Sequence, residues 1–143
     1  MTEVPAPGWK KLGATPNATF YEVRADILAV VPAPDSKDDE TTARASLAGQ
    51  KAYWNGVGRR GAVIVYMDPV LEQDSGARRV YAEETEGVPT TCFALVGESF
   101  FAQMSAAVFE GLAKPGIVTR VFTSFEGAIA WIDEVHASLG IEP

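Results

Sequence analysis

The sequence predicts a single α/β domain built on one mixed, mostly parallel sheet with an antiparallel N-terminal strand. Strand-like apolar runs alternate with amphipathic helical segments in the order ββαβαβαβα, which is typical of a parallel sheet with right-handed crossovers. The run at 62–67 is continuously apolar, the pattern of a strand buried on both faces. The length of 143 residues and the 47% hydrophobic content suit one domain with one core.

The N-terminal part divides into an extension and a hairpin. Residues 1–17 contain three prolines and two glycines, so we expect an irregular extension there, with the domain spanning 18–143. Trp9 is expected to fold back onto the domain. The runs 19–23 and 26–31 read as two strands, and the tight turn between them predicts an antiparallel hairpin.

The remaining elements follow from periodicity and from their start and stop signals. The first helix is expected to start at Asp35 or Ser36 as N-cap, with the acidic residues 38–40 in its first turn. Gly56 and Gly58 should end it. The later elements are predicted as a strand at 62–67, a short helix at 75–86, a strand at 90–96, a helix at 100–114, a strand at 117–122, and a last helix capped by Ser124 and closed by Gly140.

Charge and composition argue against several function classes. A net charge of -7 and a pI of about 4.7 disfavour nucleic acid as a partner, because an acidic surface repels phosphates. We find no secretory signal and no apolar run near the roughly 20 residues that span a bilayer, so we expect a cytoplasmic protein. Cys92 is the single cysteine, which excludes an intrachain disulfide, and its apolar surroundings predict a buried side chain.

No catalytic, metal or nucleotide motif is found in a suitable context. Residues 56–61 match the dinucleotide fingerprint G-x-G-x-x-G, but they follow a predicted helix and precede a strand, the reverse of the required order. One histidine and one cysteine cannot supply a metal site, so we expect no metal and no cofactor. His136 is first a structural residue near a helix end. An enzyme would need Asp68, Asp74 or His136 to converge, which their spacing does not predict.

The segment after the strand at 62–67 is the strongest functional candidate. In a parallel sheet, sites form beyond the carboxyl ends of the strands, and Ser75 follows one of them at the start of a helix. A phosphate on Ser75 would face free helix N–H groups and could reach Arg78 or Arg79. The alternative is ordinary helix capping by Asp74 or Ser75, and the two roles are compatible.

Residues 63–81 resemble the corresponding strand–loop–helix of STAS domains, the family of bacterial anti-sigma-factor antagonists. In that family a serine just before a glycine is the phosphoacceptor for an anti-sigma kinase, and here that position is Ser75, before Gly76. Asp74 stands where the family motif has its first hydroxyl residue. The resemblance implies a mixed sheet with helices, no cofactor and no catalysis by the STAS protein itself.

The C-terminal half is similar to the sporulation-antagonist-like branch described as STAS or CRAL-TRIO-like. The similar residues are Lys114-Pro115, 120–124 and 128–131 within 109–132, together with 77–81.

The leading interpretation is a non-enzymatic protein–protein interaction module in bacterial signalling. Its partner would be an anti-sigma-like kinase or another regulatory protein, and phosphorylation of Ser75 would switch binding. The partner-binding loop and helix would contain Asp74, Gly76, Arg78 and Arg79.

The alternative interpretation is a small-molecule or lipid carrier of the CRAL-TRIO-like type. Phe100 and Phe101 are adjacent on a predicted helix and cannot both face the same core line. One of them, with Met104, would then line an apolar pocket or a dimer face, although ordinary packing explains the pair as well. A homodimer through this region or through an edge strand is compatible with the sequence.

Overall fold

The computed structural model describes residues 4–85, 87–99 and 118–143. In chain order the elements are β1 (Lys10–Thr15), β2 (Ala18–Arg24), β3 (Ile27–Pro32), β4 (Ser36–Asp38), α1 (Glu40–Val57), β5 (Gly61–Tyr66), β6 (Val70–Gln73), α2 (Ser75–Glu83), β7 (Thr90–Val96), β8 (Val118–Phe122) and α3 (Phe125–Leu139).

The main sheet has six strands in the order β1-β2-β3-β5-β7-β8. The pairs β1–β2 and β2–β3 are antiparallel, whereas β3–β5, β5–β7 and β7–β8 are parallel. The predicted mixed, mostly parallel sheet with an antiparallel N-terminal strand is therefore confirmed, and that strand is β2. The hairpin is also confirmed, because β2 and β3 are joined by a turn at Ala25 and Asp26.

The sheet is buried on both faces, as the apolar runs predict. Along β3, Ile27 and Ala29 pack towards α3, whereas Leu28 and Val30 pack towards the α1 side that holds Trp54. This alternation places one apolar cluster on each face of the sheet. Trp9 folds back as expected, and its ring contacts those of Tyr21, Tyr66 and Phe125.

A smaller unit lies beside the main sheet. The strands β4 and β6 form a separate two-stranded parallel sheet, and each leads directly into a helix, β4 into α1 and β6 into α2. A cluster of Ala43, Leu47, Ala77 and Val80 packs α2 onto α1. The start of α2 is therefore positioned by α1 and β4.

The irregular extension predicted for residues 1–17 is wrong for Lys10–Thr15, which form the edge strand β1. The turn residues Pro16 and Asn17 connect β1 to β2 as a hairpin. The local sequence does not predict this strand, because β1 carries two lysines and a glycine and has few apolar residues. Pairing with β2 makes it a strand.

The predicted start of the first helix is also wrong. The N-cap is Asp39, whose side chain accepts a hydrogen bond from the Thr42 amide at 2.9 Å, while the Thr42 hydroxyl accepts one from the Asp39 amide at 2.8 Å. The earlier residues belong to β4, paired with residues more than thirty positions later. Because β4 depends on so distant a partner strand, the sequence around it does not predict a strand. Of the two glycines expected to end the helix, Gly58 does so as the C-cap at φ 69°, whereas Gly56 lies within the last turn.

The other boundaries agree with the sequence more closely. The segment expected as loop before Ser75 contains β6, and α2 ends at Glu83 rather than at residue 86. The strand β7 has the predicted bounds, and Ser124 and Gly140 cap α3 as expected. The helix expected at 100–114, and residue 117 of the last predicted strand, lie outside the described residues.

Candidate functional site

The start of α2 presents an accessible hydroxyl. Asp74 is the N-cap, because its Oδ1 atom accepts a hydrogen bond from the Ala77 amide at 2.9 Å. Ser75 is the first residue of the helix, and its side chain is exposed. Within the described part of the chain its hydroxyl has no hydrogen-bond partner. Capping therefore falls to Asp74 and leaves the Ser75 hydroxyl free for another role.

The division of roles between these two residues is testable by stability measurements. Asp74→Ala should lower the free energy of unfolding by about 1 kcal/mol, because an N-terminal amide of α2 loses its acceptor. Ser75→Ala should change it by less than about 0.5 kcal/mol, because an exposed hydroxyl without a partner is removed. Urea denaturation of both variants measures the difference. Equal losses for the two variants would mean that Ser75 shares the capping.

The start of α1 lies directly beside the start of α2. The Asp74 amide donates to the main-chain oxygen of Asp38 at 3.1 Å. A Cβ atom placed on Gly76 would lie 3.4 Å from the Cβ atom of Glu40, so the two first turns touch. Two positive helix ends therefore meet at this surface, each capped by an aspartate.

Asp38 joins the four elements of this unit. Its carboxylate is buried and accepts hydrogen bonds from the Thr42 hydroxyl at 2.6 Å, the Tyr81 hydroxyl at 2.7 Å and the Gln73 side chain at 3.2 Å. Burial, and then the charge of Asp38, raise the pKa of Tyr81, so that its hydroxyl stays a donor at neutral pH. Sequence reasoning missed this role, because Asp38 was placed in a solvated helix turn.

Ion pairs connect the exposed sides of α1 and α2. Arg44 on α1 binds Glu84 after α2 in bidentate fashion, with Nε–Oε1 at 3.0 Å and Nη2–Oε2 at 2.9 Å, and it also contacts Glu40. Arg79 on α2 donates from Nη2 to Glu40 Oε2 at 3.1 Å. The hydrogen bonds from Arg44 lower the pKa of Glu84. Exposed pairs of this kind add little stability.

A second polar cluster lies at the opposite end of the sheet. His136 is buried, with Nδ1 at 2.8 Å from Asp26 Oδ2 and Nε2 at 2.7 Å from the Thr91 hydroxyl. Because a carboxylate only accepts, Nδ1 carries a proton, and in the neutral ring Nε2 accepts from Thr91. Arg24 binds Asp26 and also contacts Asp133. The cluster joins the C-terminal helix to the sheet, which supports the structural role predicted for His136.

Five of the predicted site residues come together at the start of α2: Asp74, Ser75, Gly76, Arg78 and Arg79. Arg78 and Arg79 are exposed. The candidate catalytic residues separate, since Asp68 accepts from the Glu98 amide at 3.0 Å near the carboxyl ends of the strands, whereas His136 lies near their amino ends. The predicted pocket residues Phe100, Phe101 and Met104 lie outside the described residues.

Other motifs have structural explanations. The glycines at 56–61 end α1 and begin β5, so the fingerprint has the reversed context that the sequence predicts. Cys92 is buried, and burial raises its pKa to about 11, which leaves an unreactive thiol. Across the described ranges no His, Cys, Asp or Glu side chains form a group that could hold a metal ion. None of the described helices is both long and apolar enough to cross a membrane.

An open groove of about 570 Å³ lies between β1 and α1, with Leu12, Phe20 and Tyr53 among its lining. A carrier would need a cavity that encloses most of its ligand. This groove is open to solvent. The described residues therefore add no support to the carrier hypothesis.

The fold is shared with solved structures. An uncharacterized protein of the DUF3478 family with a SpoIIAA-like fold, from Shewanella loihica PV-4, superposes with a TM-score of 0.57 at 10% identity, covering 85% of this chain and 98% of that one. The anti-sigma factor antagonist SpoIIAA in its unphosphorylated form superposes with a TM-score of 0.51 at 15% identity, covering 81% and 97%. At these identities the likeness concerns the fold, and it confirms the predicted STAS-like architecture.

No curated protein matches the chain significantly. A family model does match, over residues 21–136, and it is described as a domain of unknown function, DUF7793. The matched range runs from within β2 to His136 in α3, and so contains both Ser75 and the buried histidine. The chain therefore belongs to the DUF7793 family, and its fold is the SpoIIAA-like fold of STAS domains.

Proposed function

We propose that the chain is a regulatory domain that binds a protein partner in the bacterial cytoplasm, without catalysing a reaction itself, and that phosphorylation of Ser75 controls binding. The observation that carries the proposal is the exposed hydroxyl of Ser75 at the start of α2, which has no hydrogen-bond partner among the described residues. The fold shared with an anti-sigma factor antagonist supports a partner that is a kinase or another regulatory protein.

The surroundings of Ser75 suit a modified side chain. A phosphate there would bring a charge of about -1.5 to -2 to the positive N-terminal end of α2. Arg78 and Arg79 lie three and four residues later, on the same side of the helix as Ser75. Leu71 on the preceding strand is 65% exposed and offers an apolar contact for the partner next to this polar surface.

Partner binding by Ser75 variants tests the proposal. Tagged wild-type protein is cross-linked in the bacterium that produces it, and the partner that co-purifies is identified, purified and titrated by calorimetry. Ser75→Asp is expected to weaken binding by about tenfold or more, a difference of about 1.4 kcal/mol, because a carboxylate imitates part of the phosphate charge. Ser75→Ala should bind like the wild type, and phosphopeptide mapping should find phosphate on Ser75.

The matched control is Ser138→Asp, which adds the same charge at an exposed serine near the end of α3, away from the α2 surface. It should leave the affinity unchanged. If Ser75→Ala and Ser75→Asp both bind like the wild type, Ser75 does not control this partner and the proposal fails.

A further inference from the structure

Arg79 holds the start of α2 to the start of α1. Its guanidinium donates to Glu40 at 3.1 Å, and Glu40 is the first residue of α1. Gly76 lies against the main chain and Cβ atom of Glu40. The backbone and Cβ atom of Glu40 therefore lie against the first turn of α2, which begins with Ser75, and the Arg79 guanidinium binds the carboxylate of the same glutamate.

The same guanidinium is within reach of Ser75. Residues four apart on a helix are neighbours on its surface, so Arg79 can pair either with Glu40 across the helices or with an anion on Ser75 along its own helix. Both side chains of the present pair are about half exposed, 55% for Arg79 and 42% for Glu40. An exposed pair of this kind is held weakly and exchanges partners readily.

Glu40 does not depend on Arg79 for a counter-charge. Arg44, four residues later on α1, contacts the other oxygen of the Glu40 carboxylate. If Arg79 leaves, Glu40 keeps this partner. A phosphate with nearly two negative charges and a geometry suited to a guanidinium fork would compete well against one carboxylate.

We propose that Arg79 is an exchangeable contact, which binds Glu40 in the unmodified chain and binds the phosphate once Ser75 is phosphorylated. This inference rests on the proposed function, because it takes Ser75 as the phosphoacceptor. The phosphoryl group comes from a nucleoside triphosphate bound to the kinase. The Ser75 Oγ–P bond forms as the bond to the nucleoside diphosphate breaks, and the hydroxyl proton passes to a base of the kinase.

The exchange changes the contact between the two helices. The described polar contacts between α1 and α2 include the Arg79–Glu40 pair near their starts and the Arg44–Glu84 pair at the far end of α2. Without the first pair, the described contacts at the start of α2 still include the hydrogen bond from the Asp74 amide to the main-chain oxygen of Asp38 in β4, and the apolar packing of Ala77 and Val80 on α1. Phosphorylation would thus free a carboxylate on α1 and neutralise an arginine on α2, changing both sides of the partner surface.

The test is a ³¹P NMR titration of the chain carrying phosphoserine at position 75, introduced by genetic encoding. The second pKa of a phosphoserine is ordinarily about 6. Arg79→Gln should raise this pKa by about 0.5, a threefold change in proton affinity, because the dianion loses its cation. Glu40→Gln should lower it, because Arg79 is then free of its competitor.

The matched control is Arg78→Gln, which removes the same charge from the neighbouring exposed position. It should move the phosphoserine pKa by less than half as much. An unchanged pKa in Arg79→Gln, or an equal rise in Arg78→Gln, would overturn the exchange. Circular dichroism of each variant confirms that it is folded.

Failure of this inference can be told apart from failure of the proposed function. If Ser75→Asp weakens partner binding but Arg79→Gln leaves the phosphoserine pKa unchanged, the regulatory role stands and the exchange is wrong. If the titration responds as expected but no partner distinguishes the Ser75 variants, the exchange stands and the regulatory role is wrong.

Discussion

Gly61→Ala is expected to lower the free energy of unfolding by about 3 kcal/mol, because the added methyl group would overfill a closed core. A Cβ atom at this position would lie 2.1 Å from the Trp54 ring and 2.7 Å from the main-chain oxygen of Asp26. Neither neighbour can move easily. Trp54 is fully buried, and the Asp26 oxygen accepts the Ala62 amide at 2.8 Å.

Gly56→Ala is the matched control from the same glycine-rich segment. Nothing lies within 4 Å of a Cβ atom there, and the residue is in the last turn of α1. Alanine should therefore stabilise the chain by about 0.5 kcal/mol through the lower entropy of the unfolded state. Urea denaturation at pH 7 measures both variants. Wild-type stability of Gly61→Ala would contradict the packing of Trp54 against the start of β5.

Asp26→Asn should lower the free energy of unfolding by about 3 kcal/mol, because it removes the charge from a buried, fully paired carboxylate. Asp26 is 0% exposed and accepts from both Arg24 and His136. The side-chain amide of an asparagine would place its own N–H group against Arg24 or His136, which are themselves donors. The control is Asp133→Asn, which removes an exposed carboxylate from the same arginine and should cost less than about 1 kcal/mol.

The stability that Asp26 provides should also depend on pH. Burial acts to raise the pKa of Asp26, but the hydrogen bonds from Arg24 and His136 outweigh burial and lower the pKa below its ordinary 3.8. A lowered pKa in the folded state stabilises the fold above the unfolded pKa of about 3.9, and this contribution is lost as the pH falls through the folded value. The gap in unfolding free energy between wild type and Asp26→Asn should therefore shrink as the pH falls below about 4. A gap of the same size at pH 5 and pH 3 would show that the pKa of Asp26 is not lowered.

The strands with strong local patterns were predictable. The apolar run of β5 and the bounds of β7 follow from the sequence, because a strand buried on both faces needs apolar residues at every position. The caps of α3 are equally local. The Ser124 hydroxyl accepts a hydrogen bond from an amide in the first turn, and Gly140 adopts the left-handed conformation that follows the last turn.

The three short or polar strands were not predictable. β1 is an edge strand with two lysines, and β4 and β6 have three and four residues. Each exists because a partner strand satisfies its main-chain groups, and for β4 that partner is more than thirty residues away. Because β4 was not predicted, Asp38 was assigned to the first turn of α1. Its role as the buried carboxylate that joins β4, β6, α1 and α2 was therefore not predicted either.

The sequence by itself determined the class of fold, the faces of the central strands and the place of Ser75 at the start of a helix, because these depend on periodicity and on contacts within one turn. Only the tertiary structure decided that Arg79 binds Glu40 and that His136 binds Asp26. These two contacts join residues 39 and 110 positions apart. Side chains at such separations meet only when the packing of helices on the sheet brings their backbones together, and residue type alone does not encode that packing.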